Sequence, residues 1–334
     1  MSARASNLRV AELRSEWSPR CNQGWIYVDQ ITTENGGDPA IDFYVERYPH
    51  SDRETWLERF VAGQIRSDET VCSADMTLQA GMTLRYHRPG WDEPAAPRDF
   101  RLLHEDDDLV AVDKPSGLQV LPAAMFLENT LLHVVRERIG AGVDPVHRLG
   151  RGTSGIVVFA RTDRARRQLS QDLSEGRMKK RYVALVQGNP APSFSVDQAI
   201  GLVDYLGFGR VFAAVDTGKP SISHVRVIEP RPETDEALVE VEIPTGRPHQ
   251  IRIHLAAAGH PLVGEPLYER GGHPPTVEPN DRPPLPGDLG YHLHAMQVGF
   301  THPTSKDAML IECEPPDILR PRPAAEPPPD HEQV

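Results

Sequence analysis

The chain has 334 residues, of which 39% are hydrophobic and 25% charged, as in ordinary soluble globular proteins of one large or two smaller domains. Its formal net charge of −12 argues against a protein that coats nucleic acid regardless of sequence. No apolar run reaches the roughly twenty residues that span a bilayer, and the N-terminus lacks the apolar core of a signal peptide. We therefore expect a cytoplasmic protein without membrane association.

Cysteine and histidine spacing argues against a metal site. The three cysteines stand far apart, at Cys21, Cys72 and Cys313. Without a C-x-x-C pair they are expected to be buried free thiols. The histidine pairs His249 with His254 and His292 with His294 lack the H-E-x-x-H spacing that places two imidazoles on one helical face. No metal is expected.

The N-terminal quarter of the sequence predicts a short extension and a small module. Residues 1–38 show no sustained periodicity, although 24–28 could form a strand. From Ala40 apolar residues recur at helical spacing, and a second helix should start at Ser51 or Asp52 and end at Gly63. A strand is expected at 83–86. The order helix, helix, strand defines a module over residues 39–90.

This module resembles the small RNA-binding module named after ribosomal protein S four. The resemblance rests on the sequences DFYVERYPHSDRETWLERFVAGQI and LQAGMTLRYHRP. The turn that is usually Asn-Gly in that family is here formed by residues 66–69. A plain packing domain is the alternative.

After a linker at 91–97, the next predicted elements surround a glycine-rich loop. A buried strand at 109–112 is followed by a turn at 113–117, and a second buried strand is expected at 156–160. Gly150, Gly152 and Gly155 between them spell G-x-G-x-x-G. A dinucleotide site is rejected because the strand follows these glycines, whereas that motif needs a strand before them and a helix after them.

A basic segment follows the second strand. Thr162 is expected to cap a helix that ends at Gly176, and a strand is predicted at 180–186. Residues 161–181 hold eight basic and three acidic residues, a local balance of +5. One basic face on an acidic protein indicates a selective RNA binder, and a solvated helix face is the alternative.

The C-terminal half predicts antiparallel strands, one helix and two irregular stretches. Strands are expected at 225–228 and 238–243, and a helix with Pro248 as its first residue and Gly259 as its stop. On that helix His249 and Arg252 lie three residues apart and share a face. A Pro- and Gly-rich loop is predicted at 269–291 and a flexible tail at 314–334.

Two motifs in this order resemble those of RluA-type RNA pseudouridine synthases. The first, H-R-L-D-x-x-T-S-G before an apolar strand, is matched from His147 to Gly155, with Gly150 at the position of the family's nucleophilic aspartate. The second, G-R-x-H-Q-I-R-x-H-L and G-H-P-x-x-G-D-P-x-Y, is matched from Gly246 to Tyr268, with Glu265 replacing Asp. The resemblance implies an α+β domain over residues 98–313, in which helices flank a mixed, mainly antiparallel sheet with a central cleft.

The resemblance also implies the site. The family flips a uridine out of the RNA and uses no metal or organic cofactor. By position Gly150, Arg252 and Tyr182 are the catalytic candidates, with Arg252 as the orienting arginine and Tyr182 as the stacking ring. The implied substrate-binding residues are His147, Arg148, Arg151, Thr153, Ser154, Arg247, His249 and Lys114.

Two functions of different class follow. The first is an RNA pseudouridine synthase that acts as a monomer on ribosomal or transfer RNA. The second is a catalytically silent RNA-binding protein on the same scaffold, because Gly150 carries no group that could serve as nucleophile or base. Arg252, deprived of its usual partner, must in either case find another anion.

Overall fold

A computed structural model describes residues 17–206, 208–278 and 281–323. The described residues divide into a small unit, Pro19–Pro94, and a large unit that contains the other described residues. No helix within the described ranges is long and apolar enough to cross a membrane. Residues 1–16, on which the absence of a signal peptide was judged, lie outside the described residues.

The small unit is a four-stranded antiparallel sheet covered by two helices. Its elements are β1 (Ser18–Cys21), β2 (Trp25–Gln30), α1 (Ala40–Arg47), α2 (Arg53–Val61), β3 (Ile65–Ser67), β4 (Thr70–Val71), β5 (Thr83–Arg88) and β6 (Asp92–Ala96). Strands β1 and β6 extend past the limits of the unit by one and two residues. The sheet has the order β2-β5-β3-β4, and β1 pairs with β6. Asp52 caps α2 by accepting a hydrogen bond from the Thr55 amide. Tyr44, Trp56 and Phe60 are buried in its aromatic core.

This unit is longer than the module predicted at 39–90. Strand β2 pairs with β5 from Trp25 to Gln30, so residues assigned to an N-terminal extension belong to the sheet. Cys72 is buried as expected, whereas Cys21 is exposed.

The large unit is built on one ten-stranded sheet. Its elements are β7 (Arg101–Glu105), β8 (Leu109–Lys114), α3 (Leu131–Arg138), β9 (Asp144–Pro145), β10 (Ser154–Ala160), α4 (Asp163–Ser174), β11 (Lys179–Gln187), β12 (Ser193–Asp197), β13 (Ile200–Tyr205), β14 (Gly209–Ala214), β15 (Ile222–Arg231), β16 (Glu236–Glu242), α5 (Gln250–Ala257), β17 (Leu293–Thr301) and β18 (Ala308–Glu312). The strand order is β12-β15-β16-β11-β17-β10-β8-β7, with β18 beside β17 and β9 beside β10. The predicted α+β class with a mixed, mainly antiparallel sheet is confirmed.

The parallel pair of this sheet, β10 with β17, lies at its centre. Gly155 faces Ala295 in that pairing and has a φ of +106°. A Cβ at this position would lie 2.3 Å from the Ala295 carbonyl oxygen. Glycine is therefore required where the motif loop enters the sheet.

Two predicted boundaries are wrong. Helix α5 begins at Gln250 and not at Pro248, because His249 precedes it in the left-handed conformation with a φ of 56°. The tail predicted from residue 314 is anchored at one point of its described part, since Leu319 is 2% exposed and Arg231 donates hydrogen bonds to the carbonyls of Ile318 and Arg320. Residues 321–323 are exposed. Residues 324–334 of that tail lie outside the described residues.

Candidate active site

The motif loop, residues 147–153, is hydrogen-bonded to the turn that follows β8. The buried Lys114 ammonium donates hydrogen bonds to the carbonyls of Pro115, Leu118 and Arg151 at 2.9, 2.8 and 3.3 Å. Burial lowers the pKa of Lys114 to about 7. The implied role of Lys114 in binding substrate is not supported, because its Nζ atom is enclosed and bonds to two loops.

The Arg151 side chain also bonds to the turn that follows β8. Its Nε donates to the Gly117 carbonyl at 3.0 Å, and its guanidinium lies 4.7 Å from the centre of the Phe126 ring. It lines neither the recess around Gly150 nor the adjoining cleft around Lys180. The predicted role of Arg151 in binding substrate is not supported by this position.

Most of the other predicted residues surround one small recess. The recess has a volume of about 90 Å³. The predicted residues on its wall are Arg148, Gly150, Thr153, Tyr182, Arg247, His249 and Arg252. It shares Arg148, Tyr182 and Arg247 with an adjoining cleft of about 920 Å³, which His147 and Lys180 also line. The fold thus brings together residues that are up to 104 positions apart in the sequence.

Arg252 has found its anion in Glu265. The two side chains are only 3% and 1% exposed, and the guanidinium donates to the carboxylate at 2.8 and 2.5 Å. A third hydrogen bond reaches the Pro286 carbonyl at 3.1 Å. Burial alone would lower the pKa of Arg252, but the hydrogen bonds that its guanidinium donates to Glu265 raise it above its ordinary value. The guanidinium is a permanent, paired charge beside the recess.

Two rings in the recess are oriented by local backbone irregularities. A register shift in β11 between Arg181 and Tyr182 interrupts the pairing with β17, as bulges near active sites commonly do. The left-handed backbone of His249 places its Nδ1 atom 2.7 Å from the Tyr268 hydroxyl. Burial and the charges of Arg252 and Arg148 lower the pKa of His249 to about 3, so its imidazole is neutral at pH 7.

His147 and Ser154 have structural partners. His147 Nε2 accepts a hydrogen bond from the Val158 amide at 3.2 Å, which is consistent with a pKa lowered to about 4 by burial and by the Lys180 charge. Ser154 Oγ lies 2.9 Å from His294 Nδ1 and faces a different cavity. Ser154 is therefore not part of the recess.

The basic face predicted between residues 161 and 181 is largely neutralised. Five of its arginines pair with carboxylates, namely Arg161, Arg164, Arg166, Arg177 and Arg181. Lys180 belongs to the same segment but is not among these ion pairs. Its side chain is 5% exposed and lines the cleft. Burial lowers its pKa to about 8.

Gly150 leaves the recess without a carboxylate. None of the described residues that line it is Asp or Glu. The nearest carboxylates before and after Gly150 in the sequence are Asp144 and Asp163. They pair with Arg136 and Arg166, each at 2.7 Å. A Cβ at position 150 would lie 3.0 Å from the Tyr291 hydroxyl oxygen. The phenol of Tyr291 thus borders the space that an aspartate side chain would enter.

The sequence did not identify Tyr291 as a lining residue of the recess or Lys180 as a lining residue of the cleft. Tyr291 was assigned to the end of an irregular loop, and its contact with Gly150 joins positions 141 apart. Lys180 was counted only as part of a basic run, although its place two residues before Tyr182 on a predicted strand could have shown that both face one side.

Comparison with known proteins identifies the family of the chain. Residues 108–257 match the family model described as RNA pseudouridylate synthase. An uncharacterised RNA pseudouridine synthase of Synechocystis sp. is 42% identical over 84% of this chain and 96% of its own length. The dual-specificity RNA pseudouridine synthase RluA of Escherichia coli is 32% identical over 64% of this chain and 91% of its own.

A solved structure supports the fold. Human RNA pseudouridylate synthase domain containing 1 superposes with a TM-score of 0.53 at 24% identity, over 68% of this chain and 89% of the human one. The identities and coverages of the sequence relatives establish the family in addition to the fold. The chain belongs to the RluA-type family of RNA pseudouridine synthases, isomerases that convert uridine to pseudouridine in RNA.

Proposed function

We propose that this enzyme acts on structured ribosomal or transfer RNA and that the recess at Gly150 receives the flipped uridine. The single observation that carries the proposal is the convergence of Arg148, Gly150, Thr153, Tyr182, Arg247, His249 and Arg252 on one recess. A monomer in the cytoplasm, working without metal or organic cofactor, is part of the proposal. The likeness of the small unit to an RNA-binding module stays a prediction.

The chemistry of the recess suits a flipped base. Tyr182 offers a buried aromatic face for stacking. The neutral His249 can exchange hydrogen bonds with the polar edge of uracil, because its Nε2 atom is not used by Tyr268. Arg148 lies on the walls of both recess and cleft, a position from which it could fill the place that the flipped base leaves in the stack.

The adjoining cleft suits the RNA backbone. Arg148, Lys180 and Arg247 line it, and the Lys180 ammonium lies 3.3 Å from where a Cβ on Gly246 would be. A buried ammonium that loses water on folding gains most from a bound anion. We assign Lys180 to a phosphate beside the target nucleotide.

Replacing Lys180 by Met should weaken RNA binding by about tenfold and lower the salt dependence by about one counterion. In the unaltered protein Nζ loses its proton as the pH rises through about 8, so RNA affinity should fall between pH 7 and pH 9. The Lys180→Arg variant keeps its charge and should lose much less affinity over this range. Fluorescence anisotropy with labelled transfer RNA measures both effects.

The control for this prediction is Lys179→Met, because Lys179 is the exposed neighbour on the same strand. It should bind RNA as the unaltered protein does. A fall in affinity between pH 7 and pH 9 that is equal in Lys180→Arg and the unaltered protein would remove Lys180 from the binding site.

A catalytically silent RNA-binding protein is the second candidate. The observation that favours it is the lack of any Asp or Glu among the described residues lining the recess. Loss of a nucleophile typically removes several powers of ten in rate. This candidate requires binding of RNA without isomerisation.

The two candidates are separated by release of tritium from RNA labelled at C5 of uridine. Ribosomal and transfer RNA fractions from cells lacking the gene are tested separately, because the name of the E. coli relative describes dual specificity. Release from either fraction supports the enzyme and identifies its substrate class. Tight binding without release from both fractions supports the silent binder.

A further inference from the structure

Tyr291 fills the space that side chains at two loop positions would need. A Cβ on Gly150 would lie 3.0 Å from the Tyr291 hydroxyl oxygen, and a Cβ on Gly152 would lie 2.8 Å from its Cζ atom. Both distances are shorter than ordinary van der Waals contact. The ring therefore packs directly on the backbone of the motif loop, and its hydroxyl occupies space that an aspartate at position 150 would share.

The surroundings of Tyr291 resemble those that activate a nucleophile. The Arg252 guanidinium lies 4.3 Å from the centre of its ring, and Thr153 Oγ1 lies 3.3 Å from its hydroxyl. The side chain is 4% exposed and lines the recess beside Gly150. A cation over the face of the ring favours negative charge developing on the phenol oxygen.

Other hydroxyls of the recess are less suitable. Thr153 carries an alkyl hydroxyl, which is a weaker acid than a phenol. Tyr182 offers a phenol, but its ring is the aromatic face assigned to base stacking, and burial raises the pKa of its hydroxyl. Tyr291 alone among the described lining residues combines a phenol with contact at both Arg252 and Gly150.

We infer that the Tyr291 phenol oxygen is the catalytic nucleophile of this enzyme, in the place of the family's aspartate. The inference rests on the proposed function and deepens it by naming the reacting group. Tyrosine is known in this role at an anomeric carbon, since sialidases use it to form a glycosyl-enzyme intermediate. Gly150 is then the change that gives the larger side chain room.

The reaction balances without another reactant. The phenol oxygen attacks C1′ of the flipped uridine, the bond from C1′ to N1 breaks, and the phenol proton passes to N1 of the departing uracil. After the base turns, its C5 atom attacks C1′ and displaces the phenoxide. The proton lost from C5 restores the phenol, so that the net change moves one proton from C5 to N1.

The test is tritium release by Tyr291→Phe, which removes one oxygen and keeps the ring on Gly150 and Gly152. We expect the rate to fall at least about 10³-fold, with RNA affinity unchanged and the melting temperature slightly lowered by loss of the hydrogen bond with Thr153. Tyr205→Phe is the matched control, because Tyr205 is a buried tyrosine whose hydroxyl has no hydrogen-bond partner among the described residues. It should keep full activity.

A double variant tests whether phenol and carboxylate share one place. Gly150→Asp combined with Tyr291→Phe should regain a measurable part of the rate lost by Tyr291→Phe, because Phe frees the space of the hydroxyl. A double variant that stays inactive would contradict this claim. Full activity of Tyr291→Phe overturns the inference and leaves the proposed function intact, whereas no release by the unaltered protein overturns both.

Discussion

The Glu265→Gln variant should lose about 3–5 kcal/mol of unfolding free energy, because the buried Arg252 charge would be left without its anion. Gln has the shape of Glu and still accepts a hydrogen bond, so the loss reports the charge and not a cavity. Both side chains are nearly inaccessible, at 3% and 1% exposure, and water cannot replace the carboxylate. Chemical denaturation followed by circular dichroism measures the change.

The same variant should also lose activity, since Arg252 would no longer be held against the Tyr291 ring. The control is Asp99→Asn, which removes the charge of Asp99 from its ion pair with Arg138. The Arg138 side chain is 46% exposed and the Asp99 side chain 91%. Exposed pairs contribute at most about 1 kcal/mol. If the unfolding free energy of Glu265→Gln differs from that of the unaltered protein by no more than about 1 kcal/mol, the buried charge of Arg252 does not need Glu265 for its stability.

The Gly155→Ala variant should be destabilised by at least about 3 kcal/mol, from backbone strain together with overpacking. The φ of +106° disfavours any side chain, and the new Cβ would lie 2.3 Å from a backbone oxygen in β17 that cannot move independently of the sheet. We expect little soluble protein and a lowered midpoint of denaturation. Because β10 carries the motif loop, activity should fall with stability.

Gly142→Ala provides the comparison for this prediction. A Cβ at position 142 would meet no atom within 4 Å, and this exposed glycine lies outside the helices and strands. Its unfolding free energy should change little. Equal unfolding free energies of the two variants would mean that β10 and β17 leave room for a Cβ at position 155.

Sequence patterns predicted the strands and helix ends that depend only on neighbouring residues. The apolar runs became β8 and β10, and Thr162 caps α4 with its side chain, as the sequence indicated. The order of strands in the sheet was not accessible, because the parallel pairing of Gly155 with Ala295 joins segments 140 residues apart. Packing of Leu319 was missed because a Pro-rich composition is also typical of tails.

The site could be predicted as far as its motifs extended. Seven of the residues named from the resemblance do meet in one recess. Lys114 donates a hydrogen bond to the motif loop, and Ser154 pairs with His294 in β17. Both placements depend on which way each side chain points. The partner of Arg252 was expected only as some anion, and its identity as Glu265 required the geometry of the loop after α5.

The central claim is that this protein isomerises uridine although residue 150 is glycine. The most direct measurement compares tritium release from C5-labelled RNA by the unaltered protein and by Gly150→Asp, with RNA binding measured for both. We expect release by the unaltered protein and slower release by Gly150→Asp, because a Cβ at position 150 would lie 3.0 Å from the Tyr291 hydroxyl oxygen. Release by Gly150→Asp alone would contradict it and would identify a recess that binds RNA but lacks its nucleophile.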